Sequence, residues 1–505
     1  MTPRPATESN IHESSGIAAA GDYLTRIRHF RSFPFTNPTP IPKVTFSEFR
    51  KQVRRYRPSD LLPALARLAT DGGFNPHGGL DTQGIQPWSI ALVARESILW
   101  SNEYRRAEVT GDSLRKLFNA CSNIYDRAQK REETDPDFIL NLFTRISHLQ
   151  FPYQQPYFAE VARTHAMLSD GLGEVPLEIL DKQSWMQILG DPLPQVVGAT
   201  HFIAIGAYKN NGWFDLEWLL RTDLDPIFEK WPRSVIEKRM VTLSATIPEF
   251  KAEYDSAPIP PVGYEEYAYN PLVKTPFIRM SETSFLAPQP KLIIPTITPS
   301  GLYHAGQKEF GSSFTNDLGV LTEHYVGKQL RSIDSDIVLH GEITYRQQKQ
   351  EMKSIDWFLE LPTVLVLIEV KSSRLTNLQQ AAFGDHKTRI DKVLGKAMRQ
   401  LRRTSKALEE RRPEFAHISN TKPRVGIIVT AEPFHTANSS WMRELIGSAP
   451  FPTLTVSLRE LENLVRLPFS EVERQITAIA HDPEKSTWIF DMALELHGTA
   501  PGLVD

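Results

Sequence analysis

The sequence predicts a chain in two parts, a mainly α-helical N-terminal domain followed by an α/β C-terminal domain whose mixed sheet is flanked by helices. Three observations carry that expectation. Apolar residues recur at spacings of three and four through most of residues 21–255, as amphipathic helices require. Proline breaks the pattern at "DSAPIPPVGYEEY". Beyond about residue 305, β-branched runs alternate with helical stretches, as they do where a sheet carries helices on its faces.

At 505 residues the chain exceeds one ordinary core, and roughly two to four domains are expected. An apolar share of 41% and a charged share of 23% exclude disordered and fibrous classes. The net charge of -3 excludes a chain that is basic throughout, so any nucleic-acid surface has to be a local face. Cys121 is the single cysteine, which rules out an intrachain disulfide and a cysteine-built zinc site. The opening "MTPRPATESNIHESSGIAAAGDY" lacks an apolar signal core, and no stretch reaches the roughly 18–20 apolar residues of a membrane helix. A cytoplasmic location and no membrane partner are expected.

Taken in order, residues 1–20 are small and unpatterned and predict a flexible tail. The helical domain, 21–255, includes "FSEFRKQVRRYRPSDLLPALARLA", where Ser59 and Asp60 suit a cap, and also "GDSLRKLFNACSNIYDRAQKR", "DPDFILNLFTRISHL" and "FDLEWLLRTDLDPIFEKW". Trp88, Trp100, Trp213, Trp218 and Trp231 either fill cores or stack on bases. The run "KQVRRYR" at 51–57 is either a charged helix face or a nucleic-acid contact. Residues 256–304 predict a proline-rich extended bridge. In 305–505, "NDLGVLTEHYVGKQLRSI" predicts a helix, and "DIVLHGEITYR", "KSIDWFLEL" and "TVLVLIEVKSS" predict three strands. A long helix over about 386–410, the strand "RVGIIVTAE" and the strand-to-helix run "TLTVSLRELENLV" complete the series.

The third strand is strongly apolar and ends in Glu369-Val370-Lys371. Side chains alternate across a sheet, so Glu369 and Lys371 share a face. An antiparallel pairing with the preceding strand brings Asp356 alongside, and two carboxylates then converge next to one ammonium. Hard oxygen ligands of this kind suit Mg²⁺ or Mn²⁺, with the Val370 carbonyl as a further donor and substrate phosphate completing the shell. Lys371 is placed to orient a water or to steady charge developing on phosphate. A Glu-x-Lys strand end is common, and by itself also reads as an exposed ion pair.

Asp356 with Glu369-Val370-Lys371 resembles the D...ExK signature of the PD-(D/E)XK nuclease superfamily, the restriction-endonuclease-like fold, and the order helix, three strands, helix, strand matches that core. The resemblance covers about residues 310–460. Ile355 stands where the family's eponymous proline would be. The resemblance implies metal-dependent endonuclease cleavage of nucleic acid, DNA by the family's habit, in bacterial defence, restriction or repair. It also implies a further acidic ligand from the preceding helix, at Glu323, with Glu342 competing for that role. A glutamine or lysine from the following helix is implied too, at Gln400 or Lys396.

On a helical wheel that following helix carries Ile390, Val393, Leu394, Ala397, Leu401 and Leu408 on one stripe. Arg389, Lys392, Lys396, Arg399 and Arg403 gather on another, fit to follow a phosphate backbone, and Arg374 lies beside the strand end. Other chemistries lack support. Gly327-Lys328 and Gly395-Lys396 are not P-loops, there is no HExxH, and His304, His324, His340, His386 and His435 lack ligand spacing. The N-terminal half is expected to select substrate, to form a homo-oligomer or to recruit a partner protein. The alternative is a catalytically inactive nuclease fold serving as a nucleic-acid-binding or scaffold subunit.

Overall fold

Thr45 opens the helix Phe46–Val53 with a reciprocal capping box, its hydroxyl accepting from the Glu48 N–H while the Glu48 carboxylate accepts from the Thr45 N–H. The structure, a computed structural model, describes residues 43–71, 85–125, 138–150, 153, 156–347, 349–372, 374, 383 and 386–494. The tail expected over 1–20 lies outside the described residues. Among the N-terminal helices, Pro87–Trp100 is buried on nearly every side, which makes it the hub of one core with Phe49, Leu61, Leu65 and Leu117. Helix Leu193–Lys209 centres a second core with Phe214, Ile236, Phe277 and Phe285.

Residues 256–304 are more than a bridge. Strands β1 (Trp213–Asp215), β2 (Ser244–Ala245), β3 (Phe277–Arg279) and β4 (Ser284–Leu286) make a sheet of order β1-β4-β3-β2. Phe277, Ile278, Phe285 and Leu286 are buried in the N-terminal cores. Strands of two or three residues show too little alternation to be legible in sequence, and the prolines that suggested a connection instead start short 3₁₀ turns at Pro271–Val273 and Pro290–Leu292. The following helix begins at Pro299 and runs to Arg331, interrupted at Gly311, whose φ of 60° no β-carbon would favour.

The C-terminal half is a mixed helix-and-sheet structure. Strands β5 (Val338–Gly341), β8 (Trp357–Glu360), β9 (Leu365–Lys371), β10 (Arg424–Thr430) and β11 (Thr453–Ser457) form one sheet of order β11-β10-β9-β8-β5. The β5–β8 and β8–β9 pairs are antiparallel, whereas β9–β10 and β10–β11 are parallel. The first expected strand is divided: after Gly341 the chain leaves the sheet to make a separate ribbon of β6 (Thr344–Gln347) and β7 (Gln350–Lys353). The second starts only at Trp357. Hydrogen bonds off the ladder divert the chain there, Ser354 N–H donating to the Ile343 carbonyl and Ile343 N–H to Ser354 Oγ.

Both faces of β9 are covered. Leu365 and Leu367 pack with Ile390, Leu394 and Leu401, while Val366, Ile368 and Val370 pack with Leu318, Leu321 and Tyr325. That second core also contains Met167, Trp185, Leu193 and Val197, so apolar packing runs on past residue 305 into the N-terminal half. Arg163 adds a buried polar tie, gripping Glu462 through two hydrogen bonds of 2.6 and 2.7 Å, and Tyr325 Oη donates to the same carboxylate. No helix among the described residues is long and apolar enough to cross a membrane.

Candidate active site

The β8–β9 ladder ends with Trp357 opposite Ile368, which leaves Asp356 and Glu369 at the next rung. The Val370 N–H donates to Asp356 Oδ2 at 2.6 Å and pins that carboxylate beside the strand. Lys371 Nζ donates to Glu369 Oε1 in a close ion pair, while Glu369 Oε2 is buried with no hydrogen-bond partner. Strand alternation therefore assembles the two acids and the lysine in one place.

Burial sets the electrostatics. Glu369, 1% exposed, is pushed up to about 8, first by loss of water and then by Asp356, with Lys371 opposing. Burial likewise raises Asp356 to about 6 against the pull of the Val370 N–H and Lys371. Glu323, on the helix Pro299–Arg331, is raised to about 7 by desolvation, then by Asp356 and Glu342. Its residue surface is nonetheless open to solvent, which screens part of that interaction. Glu342, exposed, adds to the field on Glu323 and Asp356 and is ion-paired with Lys353 at 2.9 Å. Glu323 and Glu342 thus both neighbour the pair, as Asp356, Glu369 and Lys371 do one another.

Gln400 does not reach the carboxylates. Its Nε2 donates to the Ser354 carbonyl at 2.8 Å. Arg403 Nη2 donates to the Lys353 carbonyl at 2.8 Å, and Thr404 Oγ1 accepts from the Ile355 N–H at 3.2 Å. Three side chains on one face of helix Lys396–Glu409 therefore grip three successive residues just before Asp356. Thr404 was not foreseen, although its place four residues after Gln400, on the same helix face, was a visible signal. Trp357 supports the other side, its indole N–H donating to the Glu323 carbonyl at 3.1 Å while the ring lies against Gly327. A β-carbon at Gly327 would stand 2.4 Å from that ring, so the glycine permits the helix to close on the strand.

The expected phosphate-binding residues divide. Lys396 and Arg399 are exposed, with Arg399 held by Asp391 at 3.0 Å. Arg389 is half-buried, and Arg403 is spent on the Lys353 carbonyl. Arg374 is not a surface cation: it is 8% exposed, packs 4.9 Å from the Tyr303 ring and pairs with Glu432 at 3.0 Å. The helix Pro299–Arg331 supplies the tyrosine that covers it, which the local sequence around Arg374 could not reveal.

Among the described residues no three His, Cys, Asp or Glu side chains converge as a ready metal cage. Mg²⁺ commonly takes only one or two carboxylates and keeps waters for the rest. Asp356 and Glu369 fit that need, because Glu369 Oε2 is orphaned in a buried position and burial raises both acids by more than Lys371 offsets. Comparison of the chain with protein-family models, with curated proteins and with solved structures returned no match.

Proposed function

We propose that the protein is a metal-dependent nuclease of the restriction-endonuclease-like kind, hydrolysing phosphodiester bonds of nucleic acid, with DNA as the favoured substrate. The observation that carries the reading is the orphaned Glu369 carboxylate oxygen beside Asp356 at the end of a buried strand, with Lys371 on the same face. Two buried acids side by side are costly to hold ionised together, and a bound cation would relieve that cost. Asp356, Glu369 and the Val370 carbonyl would hold Mg²⁺ or Mn²⁺, and Glu323 lies near enough to contribute through its field. The metal, when bound, would supply Lewis-acid polarisation of the phosphate and a more acidic water.

The chain's own residues do the rest. Val370 N–H keeps Asp356 aimed, and the grip by Gln400, Arg403 and Thr404 fixes the approach to it. Lys371, freed from Glu369, can donate to a phosphate oxygen or to the attacking water, while Lys396 and Arg399 offer charge to the polymer backbone. A nuclease-shaped binding subunit is the second reading, favoured by the closed Glu369–Lys371 pair.

The test is incubation of the purified protein with linear, circular and single-stranded DNA and with RNA, in Mg²⁺, Mn²⁺ or EDTA, beside Glu369→Ala and Lys371→Ala. Metal-dependent cutting lost in both variants is expected. No cutting on any substrate, with equal nucleic-acid binding by all three proteins, supports the binding subunit.

A further inference from the structure

Two segments distant in sequence meet on the surface of the N-terminal half. One runs from Lys51 to Arg57, closing helix Phe46–Val53 and turning into helix Pro58–Thr70; the other follows helix Pro87–Trp100 and carries Tyr104, Arg105 and Arg106. They are laced together. Arg57 Nε donates to the Arg105 carbonyl at 2.9 Å, Ala107 N–H to the Arg55 carbonyl at 3.4 Å, and Ser101 Oγ to the Tyr56 carbonyl at 2.5 Å. The result places Arg54, Arg55, Arg57, Arg105 and Arg106 about one junction, with Lys51 on the helix leading into it.

Arginines outnumber carboxylates at the junction. Glu103 is occupied by Ser59, whose N–H and hydroxyl both donate to it. Asp60 faces Arg57 at 3.5 Å, and Glu108 is exposed further along. Arg54, Arg55 and Arg106 are exposed and have no carboxylate partner among the described residues. Cations at the end of helix Phe46–Val53 favour its dipole, which accounts for Lys51 and Arg54. It does not account for two more arginines delivered from another segment, nor for Tyr104, which is 90% exposed between them and the helix Pro87–Trp100.

We infer that this junction is a binding surface for single-stranded nucleic acid, its arginines tracking the sugar-phosphate backbone and Tyr104 stacking on an unpaired base. Guanidinium groups match phosphate geometry, and an aromatic ring set among them suits the face of any base. The inference deepens the nuclease reading, on which it rests for the choice of polymer, by giving the N-terminal half a share in holding the strand.

The test is fluorescence anisotropy in EDTA on the full-length Glu369→Gln protein, with labelled single-stranded DNA or RNA of about 20 nucleotides, longer than one such binding site, and the matching duplex. Anionic phospholipid vesicles form a further arm. Charge reversal at Arg54, Arg55 and Arg106 together should weaken single-strand binding at least about tenfold and lower the salt slope by about two, as three lost phosphate contacts require. The triple lysine variant should keep most of the affinity. Tyr104→Ala should weaken single strands about tenfold and the duplex far less. The DNA and RNA arms show which strand is preferred.

Unchanged single-strand affinity and salt slope in the reversal variant, with an unchanged melting temperature, would overturn the inference. So would failure of the unreversed protein to bind any strand, or binding to vesicles alone. Because no metal is present, absence of cleavage elsewhere would sink the nuclease reading and leave this measurement standing.

Discussion

Glu369 is the residue whose behaviour differs most from an ordinary glutamate, and its cost can be measured. Its carboxyl titrates at about 8 in the folded chain against an ordinary value of 4.5, so the folded state binds that proton more tightly than the unfolded state. The stability it contributes is complete below pH 4.5 and is lost as pH rises through the window from 4.5 to 8. Glu369→Gln, neutral throughout, should therefore be more stable than the native chain in EDTA, by on the order of 3 kcal/mol at pH 7, with the gain vanishing below pH 4.5. Urea melts at several pH values check this; a gain that does not vary with pH would contradict it. In the proposed chemistry Lys371 has a separate role. Lys371→Met should lower cleavage by about a hundredfold or more while nucleic-acid binding in EDTA is retained, and a variant that still cuts at the native rate would remove the lysine from the chemistry.

At the scale of elements, two helices hold the rung that carries Asp356. Helix Pro299–Arg331 closes on β8 through Trp357 because Gly327 leaves room for the indole. Gly327→Ala should displace that ring, cost about 1–3 kcal/mol as overpacking does, and change the tryptophan fluorescence together with cleavage. A variant with native stability and emission would show that the contact is loose. Glu369 and Lys371 were legible in the sequence because side-chain alternation needs only the strand itself, and Asp356 because an antiparallel pairing of neighbouring strands brings it to the next rung. The stripe from Ile390 to Leu408 was legible for the same reason at helical period, and all six of its residues are buried. Gln400 and Arg374 were less legible, since their partners, the Ser354 carbonyl and Glu432 with Tyr303, come from elements that only the fold brings close. The β6–β7 ribbon was hidden in what resembled two longer strands, because a serine hydroxyl bonded to the Ile343 N–H ends the ladder there and no periodicity records it.

At the scale of the molecule, the core over one face of the large sheet extends to Met167, Trp185 and Val197, and Arg163 reaches across to Glu462. Breaking that bidentate contact with Arg163→Leu leaves a buried acid unpaired and should cost about 3–5 kcal/mol. The loss should appear as one shifted calorimetric transition; a second, separable transition would mean that the halves unfold independently. Sequence periodicity found the helices of the N-terminal half but could not show this continuity, which depends on pairs such as Arg163 and Glu462 far apart in the chain.

Asp356 and Glu369 are proposed to form a cation site, and calorimetric titration of the full-length protein with Mn²⁺ at about pH 7.5, beside Glu369→Gln, tests this. That pH lies below the value of about 8 for Glu369 and above the value of about 6 for Asp356. The native chain should bind Mn²⁺ with release of close to one proton, seen as a dependence of the heat on the buffer, and the variant should lose both the binding and the proton release. Equal binding by the two proteins, or binding by neither, would contradict the account.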